Sequence, residues 1–295
     1  MVCANAWRYD RPPDKSTSLQ AIERSGWRGE LELRYERRGA ATVLASRRHV
    51  GPIVVQKPFY PEDRAVCHGI VLHPPGGIVG GDRIAIEASV GPNASALLTT
   101  PGAGKWYRSA GPHAEQQLRF SIAANATLEW MPQGTIVFDG ARGCSRVRID
   151  LAADGVFIGW EVICLGRTAA GERFACGEMS TDVQISHAGA PLWIERGRIT
   201  GGSRLLDSPV GLAGEPVHGT LVAVSSRADA ALVSECRKEA PQSGRAGITR
   251  LPGLLVARYL GDRSDAAHGY FARLWHRLRP ALLGREAVAP RIWRT

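Results

Sequence analysis

A chain of 295 residues can bury a sizeable core, and its 44% hydrophobic and 22% charged residues are those of an ordinary globular protein. No apolar run reaches the ~18 residues of a membrane-spanning helix, and the opening MVCANAWRYDRPPDKSTS lacks the apolar stretch of a secretory signal. The net charge of +9 calls for acidic partners, but the cations, nearly all arginine, are dispersed instead of forming an aromatic-studded stripe. That distribution favours an acidic protein partner over nucleic acid, and a basic nucleic-acid-binding β module is the alternative from another class.

Residues 1–25 are polar, proline-bearing and aperiodic, and read as a flexible leader before a single β-rich domain over 26–295. Alternation then sets in: Leu31, Leu33 and Tyr35 interleave with Glu32, Arg34 and Glu36, the period of a half-buried strand. It returns over 84–90, 118–122 and 147–151. Further strands are predicted over 155–165, 182–186, 192–200, 220–225 and 254–260, with Gly, Pro and Asn between them. An internal echo links PNASALLTTPG (92–102) to ANATLEWMPQG (124–134). A unit recurring at roughly 30 residues suits stacked β-coils, and a pair of similar hairpins suits it equally. Helices are few and mainly C-terminal. One is predicted over 229–240 behind an Asp cap, and another carries Phe271, Leu274, Trp275 and Leu278 on a buried face, with Pro280 restricting its continuation. The fold class is therefore all-β dominated, β-helix-like or sandwich-like, with a few helices.

The segment HPPGGIVGGD (73–82) looks at first like a phosphate cradle. Its glycines do not fit G-x-G-x-x-G, and the alternating strand that follows does not open a helix. PGAGKWY fails as a P-loop, because Thr99 and Trp106 stand where a glycine and a Ser/Thr are required. Neither a G-x-S-x-G elbow nor a cysteine-protease signature occurs, and a hydrolase with a dispersed site is the second alternative. Six scattered cysteines without C-x-x-C suit reduced thiols and a cytoplasmic location. Cys67, His68 and His73 lie close in CHGIVLH and are metal-contact candidates. On a strand, however, Cys67 and His73 share one face and His68 takes the other, which argues against a tight site. Turn geometry explains the glycines most simply and makes Asp82 a carboxylate held where a strand begins.

Taken together, QKPFYPE, HPPGGIVGGD, TTPGAGKWYRS, LEWMPQGTIVFDGA, GWEVICLGR with GERF, PLWIER and the ending PRIWRT closely resemble the UreD family of urease accessory proteins (UreH in some organisms), from about residue 27 onward. The resemblance implies a non-enzymatic, largely β scaffold that acts as a chaperone in nickel insertion. It also implies as partners apo-urease, a UreF-like helical protein and, through it, a nickel-carrying UreG-like GTPase. An internal water-accessible passage for Ni²⁺ is implied too, its acidic residues matched here by Asp82 of GGD, Glu161 of GWE and Glu195 of IER. Some relatives have Asp in the second motif; this chain has Glu. The physics suits transit. Several nitrogen or sulfur ligands would bind nickel firmly, whereas spaced, hydrated carboxylates offset its desolvation and still release it. No tightly bound cofactor is expected, only transient Ni²⁺, and neither nucleic acid nor membrane is expected as a partner.

Overall fold

A computed structural model describes residues 26–294 of the protein, so the leader expected over 1–25 lies outside the described residues. The chain opens with β1 (Arg28–Arg38), β2 (Ala41–Val50) and β3 (Val54–Val55). It continues through β4 (Val66–Leu72), β5 (Arg83–Val90), β6 (Ser95–Thr99), β7 (Gly104–Trp106), β8 (Ala114–Ile122) and β9 (Thr127–Met131). Next come β10 (Thr135–Val137), β11 (Arg142–Leu151), β12 (Val156–Leu165), β13 (Glu178–His187) and β14 (Ala190–Thr200). Beyond the one-turn helix α1 (Arg204–Asp207) lie β15 (Val217–Val224), α2 (Ala230–Cys236), β16 (Arg245–Leu251), β17 (Leu254–Gly261) and α3 (Ser264–Leu283).

From β4 to β13 the long strands go alternately to two sheets. The first sheet runs β14-β13-β11-β8-β5-β1-β2 and the second β16-β17-β15-β12-β9-β6-β4-β3. Within each, the central neighbours are parallel, and each strand lies beside the one a full coil earlier. The short β7 and β10 form a third parallel ladder that ends on β12, with Thr135 opposite both Gly104 and Ile163. The arrangement is a stacked-coil β-solenoid with a coil of roughly 30 residues.

The internal echo is one such step. Ser95 lies opposite Thr127 and Leu98 opposite Trp130, so its two copies are successive coils and the hairpin reading does not hold. Asn93 and Asn125 turn the chain into each copy with φ of 59° and 55°, the left-handed region that Asn tolerates better than most residues.

Strand parity supplies two cores. Leu31, Leu33, Ile84, Ile86, Phe120 and Phe157 meet between the sheets. The other face of the second sheet, with Ile158, Trp160, Val162, Leu221 and Leu255, is roofed by Phe271, Leu274, Trp275 and Leu278 of α3. Asp229 caps α2 by accepting from the Leu232 amide at 2.8 Å. α3 is longer than expected, continuing past Pro280 to Leu283 before Gly284 ends it in the left-handed region. The backbone partner that proline removes is the carbonyl of His276, an exposed residue, so water can replace it, while Leu278 and Leu282 on the packed side hold the last turn.

Candidate functional site

On β12 the outward residues Trp160 and Val162 pack beneath α3, so the alternate residues Gly159 and Glu161 must face the space between the sheets. Trp160 fixes the strand, its indole Nε1 donating to the Pro132 carbonyl at 3.0 Å. On β14, Trp193 and Glu195 likewise point inward, and Ile194 and Arg196 point out.

A cavity of about 390 Å³ lies between the sheets. Its wall on the second sheet's side is met strand by strand along the stack: His73 after β4, Thr100 after β6, Lys105 on β7, Pro132 after β9, Glu161 on β12, His218 and Thr220 on β15, and Arg258 on β17. Glu195 and Trp193 face it from the first sheet. Exposed residues border it towards either end of the series, Gly102 at one and Arg258 at the other. Most of the lining is apolar, with few polar groups, the composition of a site that orients charge in a dry surrounding.

Glu161 and Glu195 differ in their partners. Glu195 accepts from Arg258 Nη1 at 2.6 Å, and the same nitrogen reaches the Thr220 hydroxyl at 2.8 Å. No hydrogen bond or ion pair is made to the Glu161 carboxylate among the described residues. Burial, with repulsion from Glu195 added, pushes its pKa up to about 7. Its carboxyl is therefore poised between charged and neutral at physiological pH. His218 is neutral there, because burial and the neighbouring Arg258 lower it to about 4 against the pull of Glu195. Three buried polar atoms without a protein partner, His73 Nε2 and His218 Nε2 from the second sheet's side and Trp193 Nε1 from the first, belong to residues that line this cavity.

Asp82 is not part of this lining. Its Oδ2 accepts from the Val79 amide at 2.9 Å and its Oδ1 from the Trp27 amide at 2.8 Å, closing the glycine-rich turn and tying it to the start of β1. That turn needs its glycines. Gly81 has φ of 99°, and a Cβ on Gly77 would come within 2.6 Å of the Lys105 carbonyl in the next coil.

Cys67, His68 and His73 do not converge. Cys67 is in the core between the sheets, where burial raises its thiol pKa. His68 faces the other way and shares a 2.7 Å bond with Glu62, and His73 stands beyond the strand on the cavity wall. No three His, Cys, Asp or Glu side chains among the described residues are grouped so as to hold a metal ion. Of the run 105–108, Lys105 lines the cavity, Trp106 is core, Tyr107 packs edge-on against Phe138, and Arg108 pairs with Asp139.

Sequence reasoning passed over His218 and Arg258. A signal for each was present: an arginine inside the apolar run LLVARYL, and a histidine at the same parity as Thr220 and Val222.

A stacked-coil β scaffold around a mostly apolar cavity with a few convergent charged groups, Glu161 and Glu195 beside Lys105 and Arg258, has the features of a binding or accessory protein. The family comparison agrees: the sequence profile described as UreD urease accessory protein matches residues 27–294. The urease accessory protein UreD of Azoarcus sp. strain BH72 is 54% identical over 270 residues, covering 92% of this chain and 95% of that one. Its counterpart in Dechloromonas aromatica strain RCB is 53% identical over 273 residues, covering 91% and 95%. That of Pseudomonas fluorescens strain Pf-5 is 50% identical over 275 residues, covering 93% and 98%. The chain belongs to the UreD family of urease accessory proteins, which are chaperone-like and not enzymes.

Proposed function

We propose that the chain is a urease-maturation scaffold that lets Ni²⁺ pass through the cavity between its sheets on the way to apo-urease. One observation carries this reading: the unpaired carboxylate of Glu161 faces Glu195 across a cavity that follows the stack from coil to coil. An unpaired carboxylate in a mostly apolar cavity is costly, and a passing cation offsets that cost. The spread of donors suits transit, since an ion gripped by one carboxylate at a time is easily released. His73, Glu161, Glu195 and His218 are the residues this reading places along the path, and Asp82 serves as the fastener of its turn.

The partners proposed are apo-urease, a UreF-like protein and a UreG-like GTPase, with the cytoplasm as the location. Nucleic acid is disfavoured by the pairing of surface arginines with carboxylates, as in Arg119–Glu87, Arg146–Glu115 and Arg148–Asp182. No helix among the described residues is long and apolar enough to cross a membrane.

The test is co-expression of an E161Q/E195Q chain with urease and the other accessory proteins. The complex should still co-purify, while nickel per urease active site, read by elemental analysis, falls several-fold. Undiminished nickel in an assembled complex would reject the passage.

A further inference from the structure

Glu195 is an acid in the cavity, but a positive charge already occupies it. Glu161 is opposite Thr220, and Thr220 is opposite Arg258, so the three form one row across β12, β15 and β17 on the face that looks into the cavity. From that row the guanidinium crosses to the other sheet and bonds Glu195 at 2.6 Å, while the Thr220 hydroxyl holds the same nitrogen at 2.8 Å. His218 stands two residues from Thr220 on the same face, its Nε2 buried and without a protein partner. Two carboxylates and a neutral imidazole are an oxygen and nitrogen donor set of the kind that first-row divalent cations accept. They are not drawn together as a ligand group as they stand, and Glu195 is committed to the arginine.

We propose that Arg258 is a resident counter-cation, and that Glu161, Glu195 and His218 become a divalent-cation site only as its guanidinium leaves Glu195. This rests on the cation-passage reading above. The arginine side chain is 46% exposed, so its head group can turn into water without being stripped of hydration partners. An arriving cation must then compete with a charge already in place. That competition weakens its hold at the end of the cavity bordered by Arg258, and the returning guanidinium restores Glu195 when the ion departs. The binding is made weak by a competitor within the chain, not by lack of ligands.

The test measures Ni²⁺ binding directly, by calorimetry and equilibrium dialysis on the full chain, in complex with its co-purifying partner if needed for solubility. Arg258→Gln keeps a polar head group for Thr220 and removes the charge; Arg258→Lys keeps the charge. R258Q should bind one Ni²⁺ at least tenfold more tightly than the unsubstituted chain, and R258K should stay within threefold of it. The gain should vanish in R258Q/E161Q and R258Q/H218N. An R258Q chain that melts normally yet shows no gain overturns the proposal, as does a gain that survives H218N. If E161Q starves urease of nickel while R258Q leaves affinity unchanged, this inference fails and the passage stands. If R258Q tightens binding as described but E161Q/E195Q leaves urease fully loaded, the counter-cation role stands and the passage fails.

Discussion

Glu161 is the residue with the most unusual chemistry in the chain. Its carboxyl titrates near 7 in the folded protein and near 4.5 when unfolded, so the native state holds the proton more firmly. Stability therefore falls as pH rises from about 4.5 to about 7, and the loss is complete above that range. A shift of this size corresponds to about 3 kcal/mol. E161Q should raise stability by up to that amount at pH 8 and by less than about 1 kcal/mol at pH 5, read from denaturant unfolding at both values. The same titration sets the expected pH dependence of cation binding. Below pH 7 an ion must displace a proton from Glu161, so nickel affinity should weaken on acidification in the unsubstituted chain and much less in E161Q.

At the scale of the element, α3 is pinned by a buried charge network, with Arg279 fully buried at its centre. Its Nη2 donates to Glu62 at 2.7 Å and its Nε to the two Glu129 oxygens at 3.1 and 3.2 Å. Trp275 Nε1 donates to Glu129 at 2.7 Å, and Glu62 also bonds His68. The helix is thereby tied to the loop before β4 and to β9. Burial outweighs these partners at Glu129 and raises its pKa, whereas at Glu62 the bonds from His68 and Arg279 win over burial and lower it. Removing the arginine would strand the buried Glu129. Arg279→Met should cost about 3–5 kcal/mol, and the double substitution R279M/E129L should recover much of it, since replacing a whole buried pair is tolerated better than breaking it. Chemical denaturation of the three chains measures both. His68, a metal candidate in the sequence, is here a member of this network.

Across the whole molecule the two sheets have opposite outer faces. One is roofed by helices. The other is solvated and laced with ion pairs along its coils, from Arg48–Glu32 through Arg119–Glu87 to Arg148–Asp182. Exposed pairs contribute little. Arg119→Gln or Arg146→Gln should change stability by no more than about 1 kcal/mol, well below the Arg279 effect. The excess cations are dispersed along the sequence and not gathered in an aromatic-studded stripe, so duplex DNA should give no mobility shift at physiological salt despite the net charge of +9.

Alternation and turn residues carried the architecture in the sequence because a strand's period and a left-handed Asn are local matters: β1, β5, β8 and β11 could be read residue by residue, and Asn93 and Asn125 marked the coil step. Parity also told which side chains share a face, and family motifs singled out Glu161 and Glu195. Parity does not tell which faces meet. That Glu161 and Glu195 front one cavity, that Asp82 accepts from the Val79 amide of its own turn and from the distant Trp27 amide, and that Arg258 crosses between sheets to Glu195 were decided only when the coils stacked. Charge effects depend on distances of a few ångströms between strands far apart in the chain, and only tertiary packing sets those distances.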